Sequence, residues 1–527
     1  MASRSTDPTT TARAADVLVI GGGPAGAWAA LAAAAEGCSV VLVDKGFLGT
    51  SGATAPSNTG TWCVPPGPGR AEATRRRAAR AGGLADAAHG ERVLAAAYGG
   101  LLWLQEQGYP FPREEDGTPY IANLRGPDYM RFMRREVKAA GVTVLDHHPA
   151  LGLLADAHGV GGAHGVDRQR NTAWRISAAA VVLAAGGCAF GERMLGATGL
   201  TGDGYLFAVE AGARLSGMEF SAQYGVAPAH TSLNKGLIYR WARFFDASGQ
   251  LLDTGDDRHA AIARAMQHGP VFASLDKAGT EVQAWLRQGQ PNCFLPYDRQ
   301  GIDPFTDRFE VTLRCEGTVR GVGGVLLADE SGATDVAGLY AAGDTASRER
   351  LTGALSGGGG PNASWAIASG QWAGRGAARH ARRLGPKAGA RVFAAPAPAD
   401  AVPQGAGSAA VVAAVREQML PPQRHFFRDA AGLSRSAALF DELWHARGTA
   451  AGAADALAQL RQREARALLA TSRWSVASAQ LRRESRGIHR RTDAPDALPG
   501  GARRIESGGL HQTFADWSVP ALRREAA

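Results

Sequence analysis

Asp16 is followed by four apolar residues, Val17-Leu18-Val19-Ile20, and then by glycines, the pattern of a short strand buried on both faces. Pro24 to Glu36 is alanine-rich and predicts a helix with proline in its first turn. Ser39 to Val43 predicts a second strand ending at Asp44, so the chain opens on a strand–helix–strand unit. Far along the chain, Ala178 to Ala185 and Gly338 to Ala342 are apolar runs that lead into glycine and predict further parallel strands of the same sheet. Leu153 to Asp167 predicts a small β-meander with glycine turns, and the polar, weakly periodic stretch from about Gly217 to Arg320 an inserted domain covering the sheet's ligand. Pro386 to Gly407, rich in Ala, Pro and Gly, reads as a linker. Ala409 to Met419 and Ala437 to Arg483 carry helical spacing, and there is no internal repeat.

Composition adjusts this picture only slightly. A chain of 527 residues is too long for one core and implies about three structural units. With 45% hydrophobic and 20% charged residues it folds, and its abundant Ala, Gly and Arg fit a GC-rich bacterial genome. The net charge of +8 is carried by Lys and Arg scattered singly and in pairs, which argues for a solvated surface with an anion-binding pocket and against nucleic acid. Five dispersed cysteines form no C-x-x-C pair, so the chain has no zinc ribbon or iron–sulfur centre of its own and suits a reducing compartment. No apolar run approaches the roughly 20 residues of a membrane helix, and Met1 to Ala15 lacks a signal core; the expectation is a cytoplasmic protein.

The chemistry starts at Gly21-Gly22-Gly23-Pro24-Ala25-Gly26. Glycines between a strand and a helix let backbone N–H groups and the helix dipole meet a pyrophosphate, although a lone glycine motif also fits a tight turn without ligand. Asp44, at the end of the next strand, is placed to accept hydrogen bonds from unphosphorylated ribose hydroxyls. A flavin rather than a nicotinamide dinucleotide is indicated by Gly343-Asp344, whose carboxylate suits ribityl hydroxyls, and by Gly357 to Gly360 opening a helix at Pro361-Asn362-Ala363-Ser364. The N-terminus of that helix would stabilise negative charge on a reduced flavin.

With these residues in view, the chain resembles the flavoprotein family of succinate dehydrogenase, fumarate reductase, L-aspartate oxidase and adenylylsulfate reductase. Ser51-Gly52-Ala53 resembles the flavin-contacting segment, Ala184-Ala185-Gly186-Gly187 its A-T-G-G, and Thr201-Gly202-Asp203-Gly204 its T-G-D-G, and Lys45, next to Asp44, is a further candidate cofactor contact. Arg483-Glu484-Ser485-Arg486-Gly487-Ile488-His489-Arg490, with Asp493 and Pro495, resembles its R-E-S-R-G-x-H-x-R-x-D-x-P, whose charges tie domains together rather than perform chemistry. Thr50-Ser51-Gly52 stands where some members carry a flavin-linking histidine, which implies non-covalent FAD. The family's Q-F-H-P-T becomes Gln223-Tyr224-Gly225-Val226-Ala227, its H-Y-x-M-G-G becomes Val319-Arg320-Gly321-Val322-Gly323-Gly324, and N-R-L-G-G-N becomes the glycine run ending at Asn362. Two histidines and an arginine that would clamp two carboxylates are gone, so plain succinate, fumarate or aspartate is not the expected substrate.

Arg258, in Asp257-Arg258-His259 with Arg264 beyond, resembles the family's proton-handling arginine; His259 competes for that role, and a structural Arg–Asp pair is the third reading. Asn58, Gln223, Tyr224 and Arg240 are candidate substrate-pocket residues; aromatics such as Tyr239 either line that pocket or form core.

The expectation is an α/β fold: a Rossmann-like FAD-binding domain in two parts (1–216 and 325–385), an inserted α+β capping domain (217–324), a linker (386–408) and a C-terminal helical domain (409–527). Its function would be FAD-dependent hydride transfer with a small organic substrate, the electrons passing to an iron–sulfur partner, oxygen or a small acceptor. A flavin monooxygenase and a non-catalytic electron-transfer protein remain the alternatives.

Overall fold

The structure is a computed structural model that describes residues 10–234, 236–385, 391, 393, 407–446 and 455–518. β1 (Thr10–Ile20), α1 (Pro24–Ala35) and β2 (Val40–Val43) form the predicted opening unit. β3 (Asn58–Gly60) precedes α2 (Pro68–Arg80) and α3 (Ala87–Glu106), and pairs with β4 (Asn123–Arg125). α4 (Gly126–Ala139) leads to β5 (Thr143–Leu145), and β6 (Ala150–Asp156), β7 (Gly159–Asp167) and β8 (Thr172–Leu183) follow as an antiparallel meander.

These strands make one seven-stranded sheet in the order β5-β2-β1-β8-β7-β6, and β15 (Leu339–Ala341) also pairs with β8. The pairs β5·β2, β2·β1, β1·β8 and β8·β15 are parallel, in the registers Val17↔Val40, Ile20↔Leu183 and Ala341↔Leu183. Val17 to Ile20 are buried on both faces, which is why that run does not alternate with polar residues. The ends of β1, β8 and β15 therefore meet at one edge, although the three strands lie far apart in sequence.

The middle of the chain contributes α5 (Asp203–Glu210), β9 (Leu215–Ser216), β10 (Tyr224–Pro228), β11 (Arg243–Phe245), α6 (Arg258–Ala265) and β12 (Val271–Ser274). α7 (Thr280–Gly289), α8 (Pro291–Asp298), β13 (Phe309–Cys315), α9 (Gly317–Arg320) and β14 (Gly324–Val325) complete it. Its antiparallel sheet, β10-β13-β12-β11, was not legible in a stretch that reads as polar and aperiodic, because its strands are short and widely separated. α10 (Glu349–Thr352) and the long α11 (Gly359–Leu384) return the chain to the first sheet.

α12 (Ser408–Met419), α13 (Ala430–His445) and α14 (Ala456–Leu481) are the C-terminal helices. β16 (Ile505–Gly508) and β17 (Phe514–Trp517) follow and extend a small sheet, β14-β9-β16-β17, an addition to the helical reading. Most of the expected linker, 386–390, 392 and 394–406, lies outside the described residues; within it, Arg391 donates to Asp156 at 2.9 Å. Among the described residues no helix is long and apolar enough to cross a membrane.

Candidate functional site

A cavity of about 470 Å³ opens where β1, β8 and β15 end, a volume within the range of ligand pockets. The first glycine turn is built by steric necessity. Gly21 has φ +114°, and a Cβ there would stand 2.3 Å from the Ala184 carbonyl oxygen. A Cβ on Gly26 would stand 1.8 Å from the Gly21 oxygen, so Gly26 packs the helix onto the turn and does not line the cavity. Gly23, with nothing within 4 Å of its would-be Cβ, caps α1 and leaves its first backbone N–H groups open to the cavity.

Asp44 is buried on the wall. Its Oδ2 accepts from the Gly22 N–H at 2.5 Å, and its Oδ1 from the Gly46 N–H at 2.7 Å and the Ser51 hydroxyl at 2.5 Å. The acid thus holds the glycine turn and the 46–51 turn together on the cavity wall. Lys45 and Asp203 also line the cavity, but the ammonium pairs with Asp203 at 2.8 Å and Glu464 at 2.9 Å. Burial alone would lower the Lys45 pKa; the charges of Asp203 and then Glu464 hold it well above its ordinary value instead. Lys45 is therefore committed to these carboxylates.

On the opposite side, Ala185 and Gly186 at the end of β8 and Gly343-Asp344 after β15 reach the cavity. Burial pushes the Asp344 carboxyl above its ordinary range, opposed by Arg348, which is fully buried and ion-paired to it. Arg348 also donates to the carbonyls of Gly321, Thr318 and Val319, so Asp344 is fixed to the turn that carries Arg320. Gly52, Ala53, Asn362 and Ala363 complete the far end. Both polar side-chain atoms of Asn362 are buried without a protein partner, a deficit that a flavin's polar edge in the cavity would satisfy. The N-terminus of α11 lies at the same end. The cradle therefore fits FAD.

Three of the expected cofactor contacts lie off the cavity wall, whereas Lys45 lies on it with its ammonium held by two carboxylates. Gly26 is a packing residue, as above. Gly187 faces Thr318, whose Oγ1 would lie 2.9 Å from an added Cβ, and Ser364 is buried with its hydroxyl bonded to the backbone of Trp62. None of the three lines the cavity. Conversely, Thr198, His148, Arg168 and Glu464 line it without a motif to announce them, whereas Arg320 stood in a recognisable rewritten motif.

Of the proposed substrate residues, Gln223, Tyr224 and Arg240 do not lie on this wall. Tyr224 is core: its hydroxyl donates to the Leu420 carbonyl at 2.9 Å and ties β10 to the end of α12. Tyr239 is buried as well. Gln223 donates to the Tyr224 carbonyl at 2.8 Å, and Arg240 is exposed. Asn58 pairs through its backbone with Arg125; its side chain lies outside the described residues.

Arg258 and His259 begin α6, also off the cavity wall. Arg258 donates to the Tyr239 carbonyl at 2.8 Å, lies 5.8 Å from the Phe244 ring centroid, and keeps a buried Nε without partner. Burial lowers its pKa, and burial followed by the charge of Arg258 lowers that of His259 to about 4. Asp257 pairs with Arg490 at 2.7 Å, not with Arg258.

Gly225 explains a further departure. A Cβ there would lie 2.8 Å from Glu316 Oε1, so the carboxylate of Glu316 occupies the side-chain space of position 225. Glu316 is buried, accepts from the Asn234 amide at 2.6 Å, and pairs at 3.3 Å with Arg320, which reaches the cavity.

Residues 16–238 match the FAD binding domain family. The L-aspartate oxidase of Mycobacterium leprae is 28% identical over 540 residues, covering 93% of this chain and 94% of that protein. A fumarate reductase (CoM/CoB) polypeptide of Methanothermobacter marburgensis is 26% identical over 372 residues, covering 62% of this chain and 66% of that one. Among solved structures, E. coli quinol fumarate reductase FrdA superposes with a TM-score of 0.81 at 20% identity, over 98% of this chain and 99% of that one. Adenylylsulfate reductase of Archaeoglobus fulgidus gives 0.72 at 18%, over 98% and 97%; at such identities the likeness is one of fold. Sheet, glycine cradle and buried acids define an FAD-dependent oxidoreductase. Residues 16–238 thus carry an FAD binding domain, and over most of its length the chain is similar to L-aspartate oxidase.

Proposed function

We propose that this oxidoreductase holds FAD non-covalently and exchanges a hydride with an organic substrate other than a plain dicarboxylate. The observation that carries the reading is at Gly225: the buried carboxylate of Glu316 fills the side-chain space where the family resemblance implies a histidine, so an imidazole that would meet a substrate carboxylate is replaced by an acid. Arg320, oriented by Glu316, is the cation left on that side of the cavity to orient a single electronegative group.

FAD, when bound, supplies the two-electron chemistry; the chain supplies position, electrostatics and proton handling. Arg258 or His259 is the proton carrier in this reading. Burial lowers the His259 pKa to about 4, so its imidazole is neutral at pH 7 and only weakly basic, and gives Arg258 a less basic guanidinium than a surface arginine. The acceptor or donor of electrons is a partner iron–sulfur protein, oxygen or a small molecule, since the five dispersed cysteines give no cluster ligands here. The setting proposed is the cytoplasm of a bacterium.

The test is an anaerobic flavin-bleaching panel on purified, FAD-loaded protein. Succinate and L-aspartate are expected to leave the flavin oxidised, fumarate to leave reduced flavin unreoxidised, and a mono-anionic or neutral substrate to bleach it. Rapid reduction by L-aspartate or succinate, or rapid reoxidation by fumarate, would refute the substrate reading. Acid precipitation should release all FAD to the supernatant; flavin on the pellet would overturn the non-covalent assignment.

A further inference from the structure

A second cleft, of about 370 Å³, lies outside the FAD cavity between the last turns of α2 and the segment after α10. Trp62, Ala81 and Leu355 supply its apolar walls, and Arg76, Arg77 and Arg80 its charge; no carboxylate lines it among the described residues. Arg76 is already paired with Glu72 at 3.3 Å. Arg77 has no carboxylate partner among the described residues. Its guanidinium sits 5.4 Å from the Trp62 ring centroid, its Nη2 has a long 3.3 Å bond to the Ser356 carbonyl, and its Nε is buried with no acceptor.

The end of a helix favours arginine through the dipole of its last carbonyls. That accounts for Arg80, which is exposed, but not for an arginine turned inward over an indole. A guanidinium withdrawn from water without a counter-ion is costly, and an incoming anion removes that cost. Burial lowers the pKa of Arg77 with no opposing carboxylate, consistent with an absent partner. A guanidinium with free donors, a second arginine beside it and an apolar floor match an oxyanion on an apolar body.

We infer that this cleft is a second binding site, for an organic oxyanion, carboxylate or phosphate ester, whose charged end meets Arg77 and Arg80 and whose apolar body lies against Trp62 and Leu355. Its lining residues are close along the chain to those of the FAD cavity. Thr59 lines that cavity three residues before Trp62, and Gly358 and Gly359 line it just after Leu355 and Ser356 line the cleft. Ser364, in the first turns of α11, bonds Trp62 directly. The site goes beyond the hydride-transfer reading and does not depend on it.

The test is calorimetric titration of FAD-loaded protein, whose pyrophosphate site is filled, with inorganic phosphate, phenyl phosphate and benzoate at constant chloride ionic strength. At least one of the two aromatic anions should bind saturably, one per chain, and phenyl phosphate more tightly than inorganic phosphate if the ester is the ligand class. Arg77→Gln should weaken that binding at least about tenfold, the effect of one lost charge-assisted bond. Arg75→Gln, an exposed residue paired with Glu72, should not change it. The anion should also raise the melting temperature of the wild type but not of Arg77→Gln. Arg80→Gln, which removes no hydrogen bond or ion pair among the described residues, keeps the test open should Arg77→Gln fail to load FAD, and it too should weaken binding. Absence of saturable aromatic-anion binding, or equal affinity in the arginine variants, overturns the site.

Discussion

Two buried acids set the most sensitive residue-scale behaviour. Glu349 accepts from the Ser216 hydroxyl at 2.6 Å through one oxygen, and its other oxygen is buried without partner. Burial, with the charge of Glu219 adding to it, pushes the Glu349 pKa up from 4.5 to about 7. A folded-state pKa above the unfolded value means that its stabilisation is complete below about pH 4.5 and is lost as pH climbs through about 7. Glu349→Gln should therefore remove a decline in stability of about 1–3 kcal/mol across that window. Urea unfolding at pH 5 and pH 8 measures it, and an unchanged slope in the variant would assign the effect elsewhere. At this scale the sequence announced residues that stand in a motif: Asp44, Asp344 and Asn362 all line the cavity. It failed where burial decides, as at Tyr224, whose hydroxyl points to Leu420, because no local pattern reports what lies across the fold.

Among elements, the contact of α1 with α11 shows why small residues recur near the cofactor. A Cβ on Gly370 would lie 2.5 Å from the Ala25 carbonyl oxygen, and one on Gly374 would lie 2.2 Å from that of Ala29. Glycines one turn apart thus let the two backbones touch, and both helices start at the cavity. Gly374→Val should cost about 1–3 kcal/mol by overpacking and lower the bound flavin per chain. Gly99→Ala on α3, where nothing lies within 4 Å, should instead add up to about 1 kcal/mol through helix propensity. Thermal unfolding and the flavin-to-protein absorbance ratio read both; equal effects would deny the close packing. The strands and helices of the opening unit were legible because hydrophobic periodicity is local. The four-stranded β10–β13 sheet was not, since its pairings join residues as distant as Tyr224 and Cys315.

For the whole molecule, the charged C-terminal segment acts as a clasp. Arg486 donates to the Gly82 carbonyl at 2.6 Å, just past α2, and Arg490 pairs with Asp257 ahead of α6. The deepest connection is one residue ahead of the recognisable string: Arg482, fully buried, donates to Glu219 at 2.9 Å, to Glu484 at 2.8 Å, and to the carbonyls of Gly501 and Arg503. It joins the end of α14 to the segment before β10 and to the run before β16. Removing one member of a buried ion pair strands the other, so Arg482→Ala should cost about 3–5 kcal/mol, and Arg482→Lys should recover only part because an ammonium cannot fill the planar fork. Arg482→Met combined with Glu219→Leu should be much less harmful than Arg482→Ala, because no charge is left uncompensated. Denaturant unfolding and limited proteolysis of the four proteins decide this. Similar stability of Arg482→Ala and wild type, or a double variant as unstable as the single one, would show that the clasp is held by its backbone and not by this ion pair.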